Sequence, residues 1–538
     1  MKDISSTGSF IDFTLENFIY VDKTEYIPKL VKLKRVFISR PRRFGKSLTL
    51  DTIATLFETG VEPYFKGTWI YDKWTEPTYP VLRLNFLDLD KYSLEHFKQK
   101  LNAIISSFAR DINVKNYEEK VEPEDTIYFL LDELRKEKRQ IVILIDEYDC
   151  QMTANINNET LYKQFQEKIK SFYATIKNKW AIKFLLITGV TKTKNSSVFS
   201  GTDINDITNY SPYSQMIGFT RDEIKKYYID YLKLASSYEN NCSVDNVTDE
   251  QIESMLDMMA QNYDGYCFDE FYKKKVFSTW SVNSFFQSII ENKFVDFGDY
   301  WYDNGGLPSI LVNYLKTHKL NSLDYVEKDK TITIRVNDFK NPTSLTSINQ
   351  NVLMCQTGYL TLRSPVYSKG FMTLGIPNSE VYNALLSLMA LNIFDDTKLE
   401  NVNEQILSQS KDVGEIIELF NTVLNTVSYD NYPISSEAVV QQLLYMYLKG
   451  ICNSVSAELH SSKGRADLVI ESDNRRIVFE FKYAKNEIEA KVKLSEAIEQ
   501  IKTRDYGNIV PKKAELLRIA AVFNAEPKVR AFTEYHEV

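Results

Sequence analysis

The chain has few of the residues that usually build compact chemical sites, with 5 cysteines and 4 histidines among 538 residues. Cys150, Cys242, Cys267, Cys355 and Cys452 are odd in number, widely scattered and never in C-x-x-C spacing. That pattern excludes a disulfide framework and a structural zinc site. His96, His318, His460 and His536 are equally isolated, which excludes a histidine triad or a histidine-rich metal centre. Carboxylates and lysines must therefore carry any chemistry. Only 18 glycines and 14 prolines are present, no internal repeat or low-complexity linker occurs, and the domains are expected to abut. No run approaches the roughly 18 consecutive apolar residues of a membrane span. Met1-Lys2-Asp3-Ile4-Ser5-Ser6 leads into no apolar segment, so no secretory leader is expected and the expected location is the cytoplasm. Basic residues are not in excess either: the net charge of −8 excludes a uniformly basic surface. It leaves room for a local Lys/Arg stripe, which is what nucleic-acid binding requires.

What is present reads as an ordinary globular protein, 43% hydrophobic and 26% charged. Its length suggests about two to four domains. From about residue 35 to 190, four apolar runs alternate with helical segments near 46–58, 93–112, 124–138 and 160–179. The runs are Val36-Phe37-Ile38-Ser39, Val81 to Phe86, Ile141 to Ile145 and Phe184 to Ile187. Continuous apolar strands separated by helices predict an α/β domain with a parallel sheet covered on both faces. Thr220-Arg221-Asp222-Glu223 has the form of a capping box before an apolar helix. A mostly helical stretch follows, with one expected hairpin, winged-helix-like, from Tyr359-Leu360-Thr361-Leu362 and Phe371 to Ile376. The last hundred residues predict a compact αβββαβ domain. The expected boundaries are 1–232, 233–430 and 431–538.

Directly after the first strand comes Arg40-Pro41-Arg42-Arg43-Phe44-Gly45-Lys46-Ser47. A tight turn between strand and helix presents backbone N–H groups and a helix N-terminus to an anion. Here Lys46 would reach the β- and γ-phosphates of ATP and Ser47 would hold Mg²⁺. About one hundred residues on, the strand Ile141 to Ile145 ends in Asp146-Glu147. Asp146 is placed to bind that ion, and Glu147 to polarise the attacking water. Thr188, closing a third strand, is placed to sense the γ-phosphate. Arg43, Gly45, Lys46, Ser47, Asp146 and Thr188 are thus the expected nucleotide contacts. The plainer alternative has Asp146 and Glu147 merely ending a strand. The general phosphate-loop pattern asks for glycine where Arg40 stands.

Tyr20-Val21-Asp22-Lys23-Thr24, Arg40 to Leu48 and Ile145-Asp146-Glu147-Tyr148-Asp149 resemble the bacterial AAA-ATPase-like proteins. Thr188-Gly189-Val190, Ser197 to Gly201, Gln356 to Thr361 and Ile376-Pro377-Asn378 extend the resemblance over nearly the whole chain. In that family the ATPase-like domain is followed by a PD-(D/E)XK nuclease domain, and the Arg-Pro-Arg-Arg-Phe form of the loop belongs to it. The resemblance implies an N-terminal P-loop NTPase fold and a C-terminal nuclease-like fold.

In the C-terminal region, Arg465-Ala466-Asp467-Leu468-Val469-Ile470 precedes Ile477-Val478-Phe479-Glu480-Phe481-Lys482. Alternation along a strand puts Glu480 and Lys482 on one face, which Asp467 meets if the two strands pair. Two such carboxylates favour a hard divalent cation, Mg²⁺ or Mn²⁺. Lys482 would position the nucleophilic water or offset charge on the scissile phosphate. Glu458, in the preceding strand, is a further candidate ligand. Gln500 and Tyr506 resemble the Gln…Tyr element found beside such sites and would orient Lys482 or contact substrate. The leading proline of the motif is Ala466 here. The plainer alternative is a solvated strand face carrying a Glu–Lys pair. Lys482, Lys485, Lys491, Lys493, Lys502 and Arg504 would line a phosphate groove or simply face solvent.

Together these features predict an ATP-binding or ATP-hydrolysing protein with metal-dependent nuclease activity under nucleotide control. Its partners would be ATP and nucleic acid, DNA before RNA, with no membrane and with homo-oligomerisation left open. Two alternatives stand beside it: an NTP-driven switch whose C-terminal domain binds nucleic acid or protein without cutting, and a degenerate P-loop scaffold.

Overall fold

The structure, a computed structural model, describes residues 2–5, 7–177, 179–193, 204–303, 309–315, 318, 325, 328–367, 369–394, 405–427, 432–450, 456–459, 467–472, 475–504 and 515–538. The chain divides into two compact units, Met1–Lys319 with Asp329–Val381, and Leu320–Lys328 with Tyr382–Val538.

In the first unit the apolar runs become β1 (Arg35–Ser39), β2 (Val81–Asn85), β3 (Ile141–Asp146) and β4 (Ile182–Gly189), joined by a short β5 (Asn205–Asp206). All pairs are parallel and the order is β2-β3-β4-β1-β5. Every residue of β3 is buried, as its unbroken Ile-Val-Ile-Leu-Ile run demands. The connecting helices, Lys46–Thr59, Leu94–Asp111, Pro123–Lys136 and Glu159–Ile176, start where capping chemistry puts them. Ser93 accepts from the His96 amide, Asn158 accepts from the Leu161 amide, and Pro123 opens its helix. β5 carries no apolar period, so nothing local marks Asn205-Asp206 as a strand. Its pairing with Val36 and Phe37 makes it one.

The capping box at Thr220 and Glu223 forms with both hydrogen bonds present. Its helix (Arg221–Tyr227) leads into helices Ile229–Glu239, Asp249–Tyr263 and Thr279–Asn292, packed around Tyr228, Leu232, Met255, Phe285 and Phe286. The expected hairpin is part of a three-stranded sheet. β7 (Thr361–Leu362) and β6 (Ile332–Arg335) flank β8 (Phe371–Gly375), antiparallel on both sides.

In the second unit, helix Glu437–Gly450 precedes β9 (Ser456–Leu459), β10 (Leu468–Glu471) and β11 (Arg475–Ala484). Helix Glu487–Arg504 then crosses to β12 (Glu515–Asn524), which pairs parallel with β11. A further strand, β13 (Ala531–Glu537), closes the order β13-β12-β11-β10-β9 and adds one element to the expected αβββαβ. It is an edge strand with Phe532 turned into the core. The sheet is covered on both faces. Ala497 and Ile501 of the crossing helix pack on Val478 and Ala520. On the other side Phe420, from helix Val413–Asn425, meets Phe479 at 5.2 Å between ring centroids. Among the described residues no helix is long and apolar enough to cross a membrane.

Candidate functional site

The loop after β1 turns back on itself through two residues in the left-handed region, Arg43 (φ 68°) and Gly45 (φ 97°). Gly45 caps the helix that begins at Lys46, and that backbone conformation is cheap for glycine and costly for other residues. Lys46, only 5% exposed, donates from Nζ to the main-chain carbonyls of Arg40 (3.1 Å) and Pro41 (3.0 Å). The ammonium is therefore held inside its own loop.

Asp146, at the end of β3, gathers three donors. Ser47 Oγ donates to its Oδ2 at 2.6 Å, Thr188 Oγ1 to its Oδ1 at 2.5 Å, and the Glu147 amide to Oδ1 at 2.9 Å. The parallel order β3-β4-β1 brings these residues together, although Ser47 and Asp146 stand 99 positions apart in sequence. Glu147 takes a left-handed conformation (φ 50°), and burial raises its carboxyl pKa against the opposing pull of Lys46. Arg43 turns away from this cluster and stacks on Trp280, 4.1 Å from the ring centroid.

Sequence reasoning passed over two features here. Asp149 ties down the segment after β4, accepting from the Thr191 amide at 2.7 Å and the Thr191 hydroxyl at 2.5 Å. A cavity of about 170 Å³ also opens beside Gly45 and Leu48, walled by Tyr20, Val21, Ile217, Phe219 and Trp280. Tyr20 and Val21 belong to the Tyr20-to-Thr24 motif, which was a signal without an assigned job. The structure sets it against the phosphate loop. The expected segment 197–201 lies outside the described residues.

In the second unit β10 and β11 pair antiparallel, with Leu468 opposite Phe479, which sets Asp467 beside Glu480. The Asp467 amide donates to the Phe479 carbonyl (3.1 Å), and its Oδ2 accepts from the Phe481 amide (2.7 Å). Glu480 is 0% exposed. A solvated strand face with a Glu–Lys pair is thereby excluded, because the face that carries Glu480 also carries Val478 and lies under the crossing helix. Lys482 Nζ donates to Glu480 Oε1 (2.7 Å) and to the Phe481 carbonyl (3.0 Å). Burial, and then the charge of Glu480, push the Asp467 carboxyl up to about 7. Burial works against the charge on Lys482, but Glu480 foremost, with Glu437 and Asp467, outweighs it and holds the ammonium above its usual value.

Glu437 was missed by sequence reasoning, since it reads as an ordinary first-turn acid of its helix. Its Oε1 lies 3.7 Å from Lys482 Nζ. Glu458 pairs through its backbone with Val469, but its side chain lies outside the described residues, as does Tyr506. Gln500 is half-buried on the crossing helix, one turn beyond Ala497. Among the described residues no group of three or more His, Cys, Asp or Glu is arranged to hold a metal. The described donor set is the Asp467–Glu480 pair, whose buried, mutually repelling oxygens suit a hard divalent cation.

Comparison with known proteins matches a different family model at each end of the chain. Residues 5–199 match the AAA-ATPase-like family, described as a predicted AAA-ATPase, and residues 435–533 match the PD-(D/E)XK nuclease superfamily. An uncharacterized protein from the vnfD 5' region of Azotobacter chroococcum mcd 1 is 25% identical over 526 residues, covering 94% of this chain and 93% of its own. The crystal structure of Cdc6p from Pyrobaculum aerophilum aligns with 69% of this chain and 93% of its own at 11% identity, with a TM-score of 0.22 that carries no structural argument. The chain thus joins an AAA-ATPase-like domain at its N-terminus to a PD-(D/E)XK nuclease superfamily domain at its C-terminus.

Proposed function

We propose that this protein binds ATP at the phosphate loop and cuts phosphodiester bonds in DNA, or in RNA, at the Asp467–Glu480–Lys482 cluster under nucleotide control. The observation that carries the reading is Glu480. A carboxylate at 0% exposure, beside a second carboxylate and bonded to a lysine, is an expensive arrangement that a structural role does not require. Mg²⁺ or Mn²⁺ between the two carboxylates would lower the pKa of a bound water and brace the scissile phosphate. Asp467 and Glu480 would hold the ion, with Glu458 as a further ligand. Lys482 would donate to the phosphate oxygens or the incoming water, while Gln500 and Tyr506 would orient it.

At the other site the phosphates of ATP would replace the Arg40 and Pro41 carbonyls as acceptors for Lys46. The apolar cavity walled by Tyr20 and Trp280 would receive the base. Ser47 and Asp146 would hold Mg²⁺, Glu147 would orient the hydrolytic water, and Thr188 would relay the state of the γ-phosphate. The four described cysteines are free thiols, in keeping with a cytoplasmic location.

One observation favours a non-cutting switch. Lys491 and Lys493 are paired with Glu487 and Glu496 of their own helix, so the expected basic groove is partly neutralised. Labelled single- and double-stranded DNA with Mg²⁺ or Mn²⁺, with and without ATP, separates the readings. Cleavage by the wild type that falls by about a hundredfold or more in Asp467→Ala, Glu480→Ala and Lys482→Ala is expected. Binding without cleavage in every condition would establish the switch.

A further inference from the structure

The hairpin of β7 and β8 belongs to neither site described above, yet its segment differs in charge from the rest of the chain. From Lys330 to Asn378 five residues are basic and one, Asp338, is acidic, in a protein of net charge −8. Two backbone bonds within the first unit fix what stands at the hairpin's tip. The Val366 amide donates to the Glu270 carbonyl (2.8 Å), and the Val336 amide donates to the Gly370 carbonyl (3.0 Å). The first brings up the run Phe271-Tyr272-Lys273-Lys274-Lys275, and the second brings up the end of β6. Asp269 is buried and spends its carboxylate on the amides of Phe271, Lys273 and Lys274. It is therefore not offered to the ammonium groups that follow it.

Large aromatic side chains stand out around this tip: Phe271 is 55% exposed, Tyr367 64% and Phe371 65%. Phe371 lies opposite Arg335 in the antiparallel register, so ring and guanidinium share the outer face while Ile334 and Met372 turn to the core. Lys273, Arg335 and Lys369 are exposed and form no ion pair among the described residues. Lys491 and Lys493, by contrast, are neutralised by acids of their own helix. Single exposed rings are ordinary, whereas several grouped with unpaired cations mark an interaction surface. We propose that this tip binds single-stranded nucleic acid, with bases stacked on Phe271, Tyr367 and Phe371 and phosphates drawn to Lys273, Arg335 and Lys369. Bases already stacked in a duplex cannot cover the rings, and a partner offering acidity alone would leave them bare. Such binding deepens the nuclease reading without requiring it, since neither metal nor cleavage is involved.

The test is fluorescence anisotropy of the full-length protein in EDTA with labelled oligo(dT), oligo(U) and a DNA duplex of equal length. A single strand is expected to bind more tightly than the duplex, and the two oligonucleotides tell DNA from RNA. Tyr367→Ala and Phe371→Ala should each weaken that binding about tenfold. Arg335→Gln and Lys369→Gln should each lower the slope of log K against log salt by about 0.7. All four positions are exposed, so thermal midpoints and ADP affinity should keep their wild-type values. No single-strand binding by the wild type, preference for the duplex, or unaltered binding in every variant would overturn the assignment. Polyglutamate competing as well as oligo(dT) would give the tip to an acidic protein and overturn it equally. Cleavage of the same strand with Mn²⁺, assayed in parallel, keeps the two readings apart. A protein that cuts, with binding unaltered in the variants, refutes the surface alone; wild-type binding without cutting refutes the nuclease alone.

Discussion

Asp467 shows how a single titratable group reports on its site. Burial, and then repulsion from Glu480, lift its carboxyl from 3.8 to about 7. A carboxyl raised on folding contributes stability that is complete below its unfolded value of 3.8 and is lost as pH rises through about 7. At pH 8 the folded protein therefore holds an unfavourable charge that Asn does not carry, while Asn still offers an oxygen to the Phe481 amide. Asp467→Asn is expected to raise the thermal midpoint of the EDTA-treated protein at pH 8, with the advantage shrinking toward pH 5. Added Mn²⁺ should reverse the ranking, because the variant lacks the ligand charge. A difference that does not change with pH would show that Asp467 titrates like an ordinary surface carboxyl.

Elements bring such groups together, and the end of β4 is a case in point. A Cβ at Gly189 would lie 2.4 Å from the ring of Tyr148 and 2.6 Å from Asp149 Oδ1. Tyr148 is fully buried and Asp149 is committed to Thr191, so neither can yield cheaply. Gly189→Ala should cost about 1–3 kcal/mol, seen as a lower thermal midpoint. It should also weaken nucleotide binding through the neighbouring Thr188–Asp146 bond, as measured by titration. Wild-type stability and affinity in this variant would mean that the loop after β3 moves freely. The sequence made the strands with long apolar runs legible, and with them the positions of Lys46, Ser47 and Asp146. β5 and β13 were not legible: one is two polar residues long, the other an edge strand with a single buried residue, Phe532, and no clean apolar alternation. Pairing with a neighbour, not local preference, makes them strands.

On the scale of the molecule, an ATPase-like domain and a nuclease superfamily domain share one chain, and nucleotide control is the reading that gives the pairing a purpose. Lys46→Ala is expected to weaken ATP binding by about a hundredfold, since the ammonium is the loop's central cation. Metal-dependent cleavage in the absence of nucleotide should persist in this variant, while the response of cleavage to ATP disappears. Cleavage assays with and without ATP read both. A variant that still answers to ATP would show that control does not run through the phosphate loop.

From the sequence alone came the long apolar strands with the helices between them, the phosphate loop and the carboxylate–lysine strand, because apolar period, capping and loop chemistry act over a few residues. Tertiary structure alone decided which of the many acids matter. It buried Glu480 between two packed layers, put Glu437 within reach of Lys482, and walled a cavity with residues near 20, 217 and 280. It also buried Arg40 with two of its three guanidinium nitrogens unmet among the described residues. Burial and electrostatic partnership depend on residues far apart in the chain, so no local pattern encodes them.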